Sequence, residues 1–271
     1  MRIAFAKRVA SLACGALVFA ALSFPCREAC ASDSERSGPT YDVKLSVDGP
    51  VIGISTVVAG SWLLRNELSP PPCAPLCARD GVFVLDRFAA GAYRPAWARV
   101  SDVGVGAIYV GSLVVTLVDE GFADGLTDWV VIGESIMLSH ATATAMNFAM
   151  RRPRPYVYGT EAPLDTRMSG DAGMSFFSGH TAGSFAAATA LAGTIFRRYP
   201  HSPWRFVALG TGLLGASLVG ISRIAAGHHF PTDVASGAAV GVGYGLLVPT
   251  LHDAGLQVAP MEGGLQVMGA F

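Results

Sequence analysis

Three short clusters concentrate arginine, histidine and aspartate in a chain of 271 residues of which only 14% are charged. They are Arg151-Arg152-Pro153-Arg154-Pro155, then Ser178-Gly179-His180, then Ser222-Arg223 followed by His229 and Asp233. These residue types suit phosphoryl transfer, in which charge on the equatorial oxygens must be met by fixed donors. Arg154 and Arg223 offer forked guanidinium donors matched to phosphate oxygens. Ser178 and the backbone N–H groups of Gly179 and His180 stand where a helix begins, and the open amides and helix dipole there favour an anion. Two histidines fill the roles of nucleophile and acid if a carboxylate fixes the tautomer of one of them. Asp233, four residues after His229, is expected on the same helical face to do so.

Taken singly, each cluster has a plainer reading. Arg151–Arg154 alone reads as a juxtamembrane basic patch, and Ser178-Gly179-His180 as an ordinary helix start with a serine cap. His228 and His229 could be a metal pair, but adjacent helical residues diverge by about 100° and rarely share an ion.

The elements that must carry these clusters are apolar stretches at 49–64, 103–118, 129–150, 180–196, 206–222 and 234–251. They are rich in Gly, Ala, Ser and Val, which suits close helix packing in lipid. The composition, 51% hydrophobic with a charged fraction well below the roughly 25% of soluble domains, agrees. The expected fold is all-α, a membrane-embedded multi-helix bundle. Each cluster then sits at a helix end, on one side of the bundle. Net charge is −1 with scattered basic residues, so no nucleic-acid footprint is present.

Residues 1–31 read as a secretory signal, with Arg2, Lys7 and Arg8 before an apolar run and Ala29-Cys30-Ala31 as the cleavage site. An uncleaved anchor is the alternative. The segment 197–205 is basic and, by the positive-inside rule, faces the cytoplasm, which places the three clusters on the periplasmic side. A cleaved leader makes that count work only if one stretch fails to cross, and 49–64, lying at the interface or packed on the bundle, is the one expected to fail. Residues 32–100 form an N-terminal extracytoplasmic region in which Cys73 and Cys77 are expected to be disulfide-bonded. Residues 101–252 form the main domain. The tail, 253–271, repeats Gly255-Leu-Gln-Val258 as Gly264-Leu-Gln-Val267 about a turn and reads as a β-hairpin. Glu134 and His140 lie inside the third apolar stretch, where ionisable groups are costly. They are expected to be satisfied as a pair inside the bundle, with a functional role as the alternative.

In its motifs the sequence resembles the type 2 phosphatidic acid phosphatase and vanadium haloperoxidase superfamily. That pattern is Lys-x6-Arg-Pro, then Pro-Ser-Gly-His, then Ser-Arg-x5-His-x3-Asp. Ser222, Arg223, His229 and Asp233 match the third motif in full, and Phe177-Ser178-Gly179-His180 the second with Phe for Pro. In the first, Arg154-Pro155 match while Asn147 stands in the lysine slot. The resemblance covers about residues 103–250. It implies His229 as nucleophile, His180 as proton donor to the leaving oxygen and Asp233 as the residue that orients His229. Arg154, Ser178, Gly179, Arg223 and Asn147 would hold the phosphate, with no metal and no cofactor. Asn147 brings no charge, so Arg151 or Arg152 could take over the missing contact. The implied substrate is a phosphate monoester or pyrophosphate, foremost of a lipid. A soluble periplasmic acid phosphatase, a vanadate-dependent halide oxidase and a non-catalytic phosphate- or lipid-binding relative are the competing readings.

Overall fold

The computed structural model describes residues 39–253 and the backbone of two terminal strands; the leader expected at 1–31 lies outside the described residues. Six long helices form the bundle: α1 (Leu45–Gly60), α2 (Pro95–Glu120), α3 (Phe122–Met150), α4 (Gly179–Arg198), α5 (Trp204–Ala226) and α6 (Pro231–Leu251). The tail is a hairpin of β1 (Leu256–Met261) and β2 (Gly264–Gly269), antiparallel with Val258 opposite Val267. The internal repeat of the sequence is thus the two arms of one hairpin.

Prolines and glycines punctuate the bundle. Pro95 and Pro231 sit in the first turns of α2 and α6, where a missing N–H costs nothing. Gly121 alone separates α2 from α3, at φ 83°. Successive helices therefore run antiparallel. The starts of α1, α3 and α5 share one end with the finishes of α2, α4 and α6. The other end carries the connections 61–94, 151–178 and 227–230, and with them all three chemical clusters.

At the centre is α4, whose Ala182, Ala186, Ala187 and Ala190 are fully buried. A row of Gly237, Gly241 and Gly245 on α6 meets it. A Cβ built on these would come within 2.2 to 2.7 Å of the carbonyl oxygens of Ser178, Ala182 and Ala186, so only glycine permits the approach. The outer faces are apolar instead of polar: Val103, Val110, Leu214, Leu218, Leu246 and Leu247 are all more than half exposed or close to it. A belt of this kind is a lipid-facing surface. Among the described residues, four segments, Leu45–Glu67, α2, α5 and α6, are long and apolar enough to cross a membrane.

Of the two placements expected for the stretch at 49–64, at the interface or packed on the bundle, the second is observed. It runs beside α3 for its full height, from His252 at one end, which contacts Asp48, to Asp171 at the other, which pairs with Arg65. The bundle therefore has six parallel and antiparallel members, and residues 39–44 share an end with Arg197–Arg205. The α1–α2 connection carries the expected Cys73–Cys77 disulfide, Cα–Cα 4.8 Å. It packs on the cluster-bearing end through Cys77, whose N–H donates to the Val157 carbonyl at 3.0 Å.

Candidate active site

The third cluster is shaped by Gly227, which ends α5 in the left-handed region at φ 78° and donates to the Ile224 carbonyl. A Cβ here would lie 1.8 Å from the Ala92 carbonyl, so no other residue fits. The chain turns at once, and His228 and His229 are set in the four-residue connection before α6. His229 is buried, 3% exposed, and its Nδ1 donates to the Ser175 carbonyl at 2.6 Å. Because a carbonyl can only accept, the proton is on Nδ1 and the lone pair on Nε2. Burial, then the nearby Arg154 and Arg223, hold the His229 pKa well below that of a free imidazole. The ring is therefore neutral and Nε2 is available as a nucleophile.

Arg154 and Arg223 converge on His228. Arg154 Nη1 lies 3.3 Å and Arg223 Nη2 3.0 Å from His228 Nδ1, which must accept. Burial and the same two guanidinium groups depress the His228 pKa. Arg154 is held further by the carbonyl and carboxylate of Asp171, at 2.9 and 3.0 Å. Asp171 also meets Arg65 at 3.2 Å. Arg223 Nη1 reaches Ser101 Oγ at 3.2 Å, and its buried Nε has no hydrogen-bond partner. Two guanidinium groups, only part-neutralised and with an orphaned donor, make a site fit for an anion.

Ser178 caps α4, its Oγ accepting from Thr181 Oγ1 at 2.9 Å and Thr181 N at 3.4 Å. The N–H groups of Gly179 and His180 open the helix and so have no intrahelical acceptor. His180 Nε2 donates to Asp102 Oδ1 at 2.9 Å, and Asp102 lies 3.6 Å from Arg223 Nη1. Arg154, His180, Arg223 and His228 are thereby joined in one network, with His229 anchored beside it.

Three expectations change. Asp233 does not touch the His229 ring. His229 precedes α6 by two residues, so helical spacing does not bring residues 229 and 233 onto one face. Asp233 instead accepts from the Phe230 N–H at 2.8 Å, Ser175 Oγ at 2.5 Å and Arg152 at 2.5 Å. It acts on the imidazole at one remove, through Ser175. Asn147 does not present a donor to the anion, because its amide hydrogens are committed to the carbonyls of Ala143 and Phe177, at 2.8 and 3.1 Å. Neither neighbouring arginine replaces it: Arg152 spans Asp86 and Asp233, and Arg151 turns outward to Gly170, Met174 and the Ser69 carbonyl. Glu134 and His140 do not pair either; His140 Nε2 meets Tyr109 Oη at 2.7 Å, and Glu134 lies near His252.

Sequence reasoning missed Ser175, Asp171 and Asp102, and weighed His228 only as a metal ligand. Asp102 lies two turns into α2 and Asp171 in the connection between the first two motifs, and their only sequence signal is that they are isolated charges. A cavity of about 130 Å³ lined by Ile108, Leu191, Ile195 and Val207 lies in the other half of the bundle and contains none of these residues.

The fold and site define a membrane-type helical bundle with a cluster of arginines and histidines at one end. Residues 128–255 match the model of the PAP2 superfamily. It is 38% identical over 108 residues to the lipid A 1-phosphatase of Porphyromonas gingivalis, covering 40% of this chain and 22% of that protein. It is 28% identical over 124 residues to the decaprenylphosphoryl-5-phosphoribose phosphatase of Mycobacterium tuberculosis, covering 46% of this chain and 61% of that one. Less than two thirds of either relative is thus spanned. Among solved structures, a transmembrane PAP2 type phosphatidylglycerolphosphate phosphatase from Bacillus subtilis is similar at TM-score 0.45 and 20% identity, over 75% of this chain and 94% of that one.

Proposed function

We propose that the protein is a metal-independent phosphatase acting on a phosphate monoester or pyrophosphate of a lipid, through a phosphohistidine at His229. The observation that carries this reading is the state of His229: buried, neutral, its Nδ1–H fixed on the Ser175 carbonyl, and its Nε2 lone pair free beside two arginines. In the first step Nε2 attacks phosphorus and the bond to the leaving oxygen breaks, while His180 passes a proton to that oxygen. In the second, His180 takes a proton from water, whose oxygen attacks phosphorus, and the P–N bond breaks to release phosphate and restore the lone pair. Arg154 and Arg223 meet the growing equatorial charge, aided by the amides of Gly179 and His180. Asp102 accepts the His180 Nε2–H, which leaves Nδ1 to carry the transferred proton.

A lipid substrate is supported by the apolar belt, and by the names of both curated relatives, which denote phosphatases of lipid-linked phosphate. The same belt argues against the soluble acid phosphatase. In the proposed orientation the disulfide-bearing end, with the site, faces an oxidising extracytoplasmic space, and Arg197–Arg205 face the cytoplasm.

The test is phosphate release by purified protein from lipid and soluble phosphoesters with chelator present, with acid-labile, base-stable phosphate trapped on the chain. Activity that survives chelator, falls with vanadate and disappears in His229→Ala is expected. Strict dependence on added Mg²⁺ or Zn²⁺ for turnover refutes the mechanism.

A further inference from the structure

At the end of the bundle away from the histidines, three ionisable side chains from three distant parts of the chain meet. Asp48 lies in the first turn of α1, Glu134 midway along α3, and His252 just past α6. All are buried, and their ligand atoms lie within 4.8 Å of one another. His252 Nε2 is 3.1 Å from Asp48 Oδ1 and 3.4 Å from Glu134 Oε2. Along α6 the cluster stands about 28 Å from Asp233, at 1.5 Å per residue.

Each group is oriented by its own element. His252 Nδ1 donates to the Val248 carbonyl at 2.8 Å, which turns Nε2 toward the two carboxylates. Asp48 Oδ2 accepts the Lys44 N–H at 2.5 Å, leaving Oδ1 for the cluster. Glu134, whose side chain is 6% exposed, aims Oε2 into the same space, and that buried atom has no hydrogen-bond partner. The ion pairs of Asp48 and Glu134 within the described residues involve only His252, with no lysine or arginine. In the neutral imidazole three lone-pair atoms would face one another in a buried place, an arrangement that needs protons or a metal ion between them. A proton on Nε2 answers only part of that need. One N–H points to one acceptor, the shorter contact is to Asp48, and Glu134 Oε2 stays orphaned.

A metal ion satisfies all three at once. Tetrahedral zinc bonds of about 2.0–2.2 Å set neighbouring ligand atoms about 3.3–3.5 Å apart, close to the two separations seen. An imidazole whose other nitrogen donates to a backbone carbonyl is the usual form of a metal-bound histidine. The donor set of one imidazole and two carboxylates suits zinc better than magnesium, which demands octahedral oxygen coordination. We propose that Asp48, Glu134 and His252 bind one Zn²⁺, which fastens α1 to α3 and to the end of α6. This site is structural and independent of the phosphatase reading, whose chemistry lies at the opposite end.

The full chain, purified in detergent and stripped with chelator, is titrated with Zn²⁺ by calorimetry and with Co²⁺ by visible absorption, and its unfolding temperature is followed. One equivalent of Zn²⁺, the intense absorption of four-coordinate Co²⁺, and a rise in unfolding temperature are expected. In Glu134→Gln and His252→Ala, affinity should fall at least about 10- to 100-fold, the loss that even outer-shell partners bring. Retained helicity by circular dichroism shows that the variants are folded. No binding by the wild-type chain, or equal binding by wild type and both variants, overturns the proposal. The first outcome would leave the cluster as a protonated imidazole between carboxylates. Phosphate release measured on the same stripped protein keeps failure of the metal site distinct from failure of the catalytic reading.

Discussion

Asn147 offers the sharpest test of how this site differs from its family pattern, because the structure turns the residue from a phosphate ligand into a tether. Its amide holds the Phe177 carbonyl at 3.1 Å, one residue before Ser178, while its own buried Oδ1 has no partner. Asn147→Leu, of similar size, would strand the Phe177 carbonyl and relieve the orphaned oxygen. An unsatisfied buried acceptor costs about 1–3 kcal/mol; with the relief subtracted, the net loss should be about 1–2 kcal/mol. For a chain of this size that is a fall in unfolding temperature of roughly 2–8 °C, with or without ligand, and a modest loss of kcat as Ser178 shifts. The vanadate inhibition constant should rise less than about threefold. Asn147→Lys differs, since an ammonium can serve the Phe177 carbonyl and also bring charge toward the phosphate. A charge-assisted contact is worth about 1.5–3 kcal/mol against about 1 for the neutral bond it replaces, so kcat/KM should rise between about 2- and 30-fold. Vanadate inhibition and unfolding temperature, measured on both variants, separate the roles. If Asn147→Leu weakens vanadate tenfold or more at unchanged unfolding temperature, Asn147 contacts the anion and the tether argument is wrong. If Asn147→Lys is silent as well, the position does not face the phosphate.

The indirect hold of Asp233 on His229 predicts that Ser175→Ala, which keeps the accepting carbonyl but leaves Asp233 Oδ2 with the Phe230 N–H alone, lowers kcat about 10-fold with little change in KM; no change in kcat would mean that Ser175 Oγ transmits nothing. With the His229 pKa depressed, the acid limb of kcat/KM, which reports the free enzyme, should fall below the 6.5 of a free imidazole, and a limb at or above 6.5 would refute a neutral, buried nucleophile. Stability should follow the same sign. His228 and His229 favour the folded state fully above pH 6.5, and that contribution is lost as pH drops and the unfolded chain alone takes up protons, so unfolding temperature should decline from pH 7 to 5. For topology, impermeant thiol reagent on intact cells should label a cysteine placed at position 80 and spare those at 42 and 201; labelling at 201 would overturn the proposed orientation.

Helices were legible because long apolar runs between Gly, Pro and charged punctuation allow little else. The three motifs were legible because local spacing carries them: Ser178 does cap α4, and Arg154 and Arg223 do converge. What escaped was pairing across the bundle. Glu134 was set against His140, six residues away on its own helix, yet its neighbour is His252, which only the packing of α3 on α6 brings near. The reading of Asp233 failed for a local reason, since a helical spacing was applied across a helix boundary that Pro231 moves to the far side of His229. Hydropathy leaves the stretch at 49–64 two placements, at the interface or against the bundle, and its packing on α3 decides for the second.

The pairing of Tyr41 with Asp253, and of the Asp42 N–H with the His252 carbonyl at 2.9 Å, joins the beginning of the described chain to the end of the last helix. The consequence concerns the order in which the protein is made. The segment before α1 leaves the ribosome well ahead of its partners at 252 and 253. Throughout synthesis α1 has only α3 to lean on, and the clasp that fixes its start closes after α6 has been delivered. Since the same segment ends at Arg65 against Asp171, which in turn holds Arg154, the final arrangement around Arg154 waits on residues 252 and 253. A ribosome-bound chain stopped before residue 252 would carry all three motifs and still lack the closed bundle that aligns them.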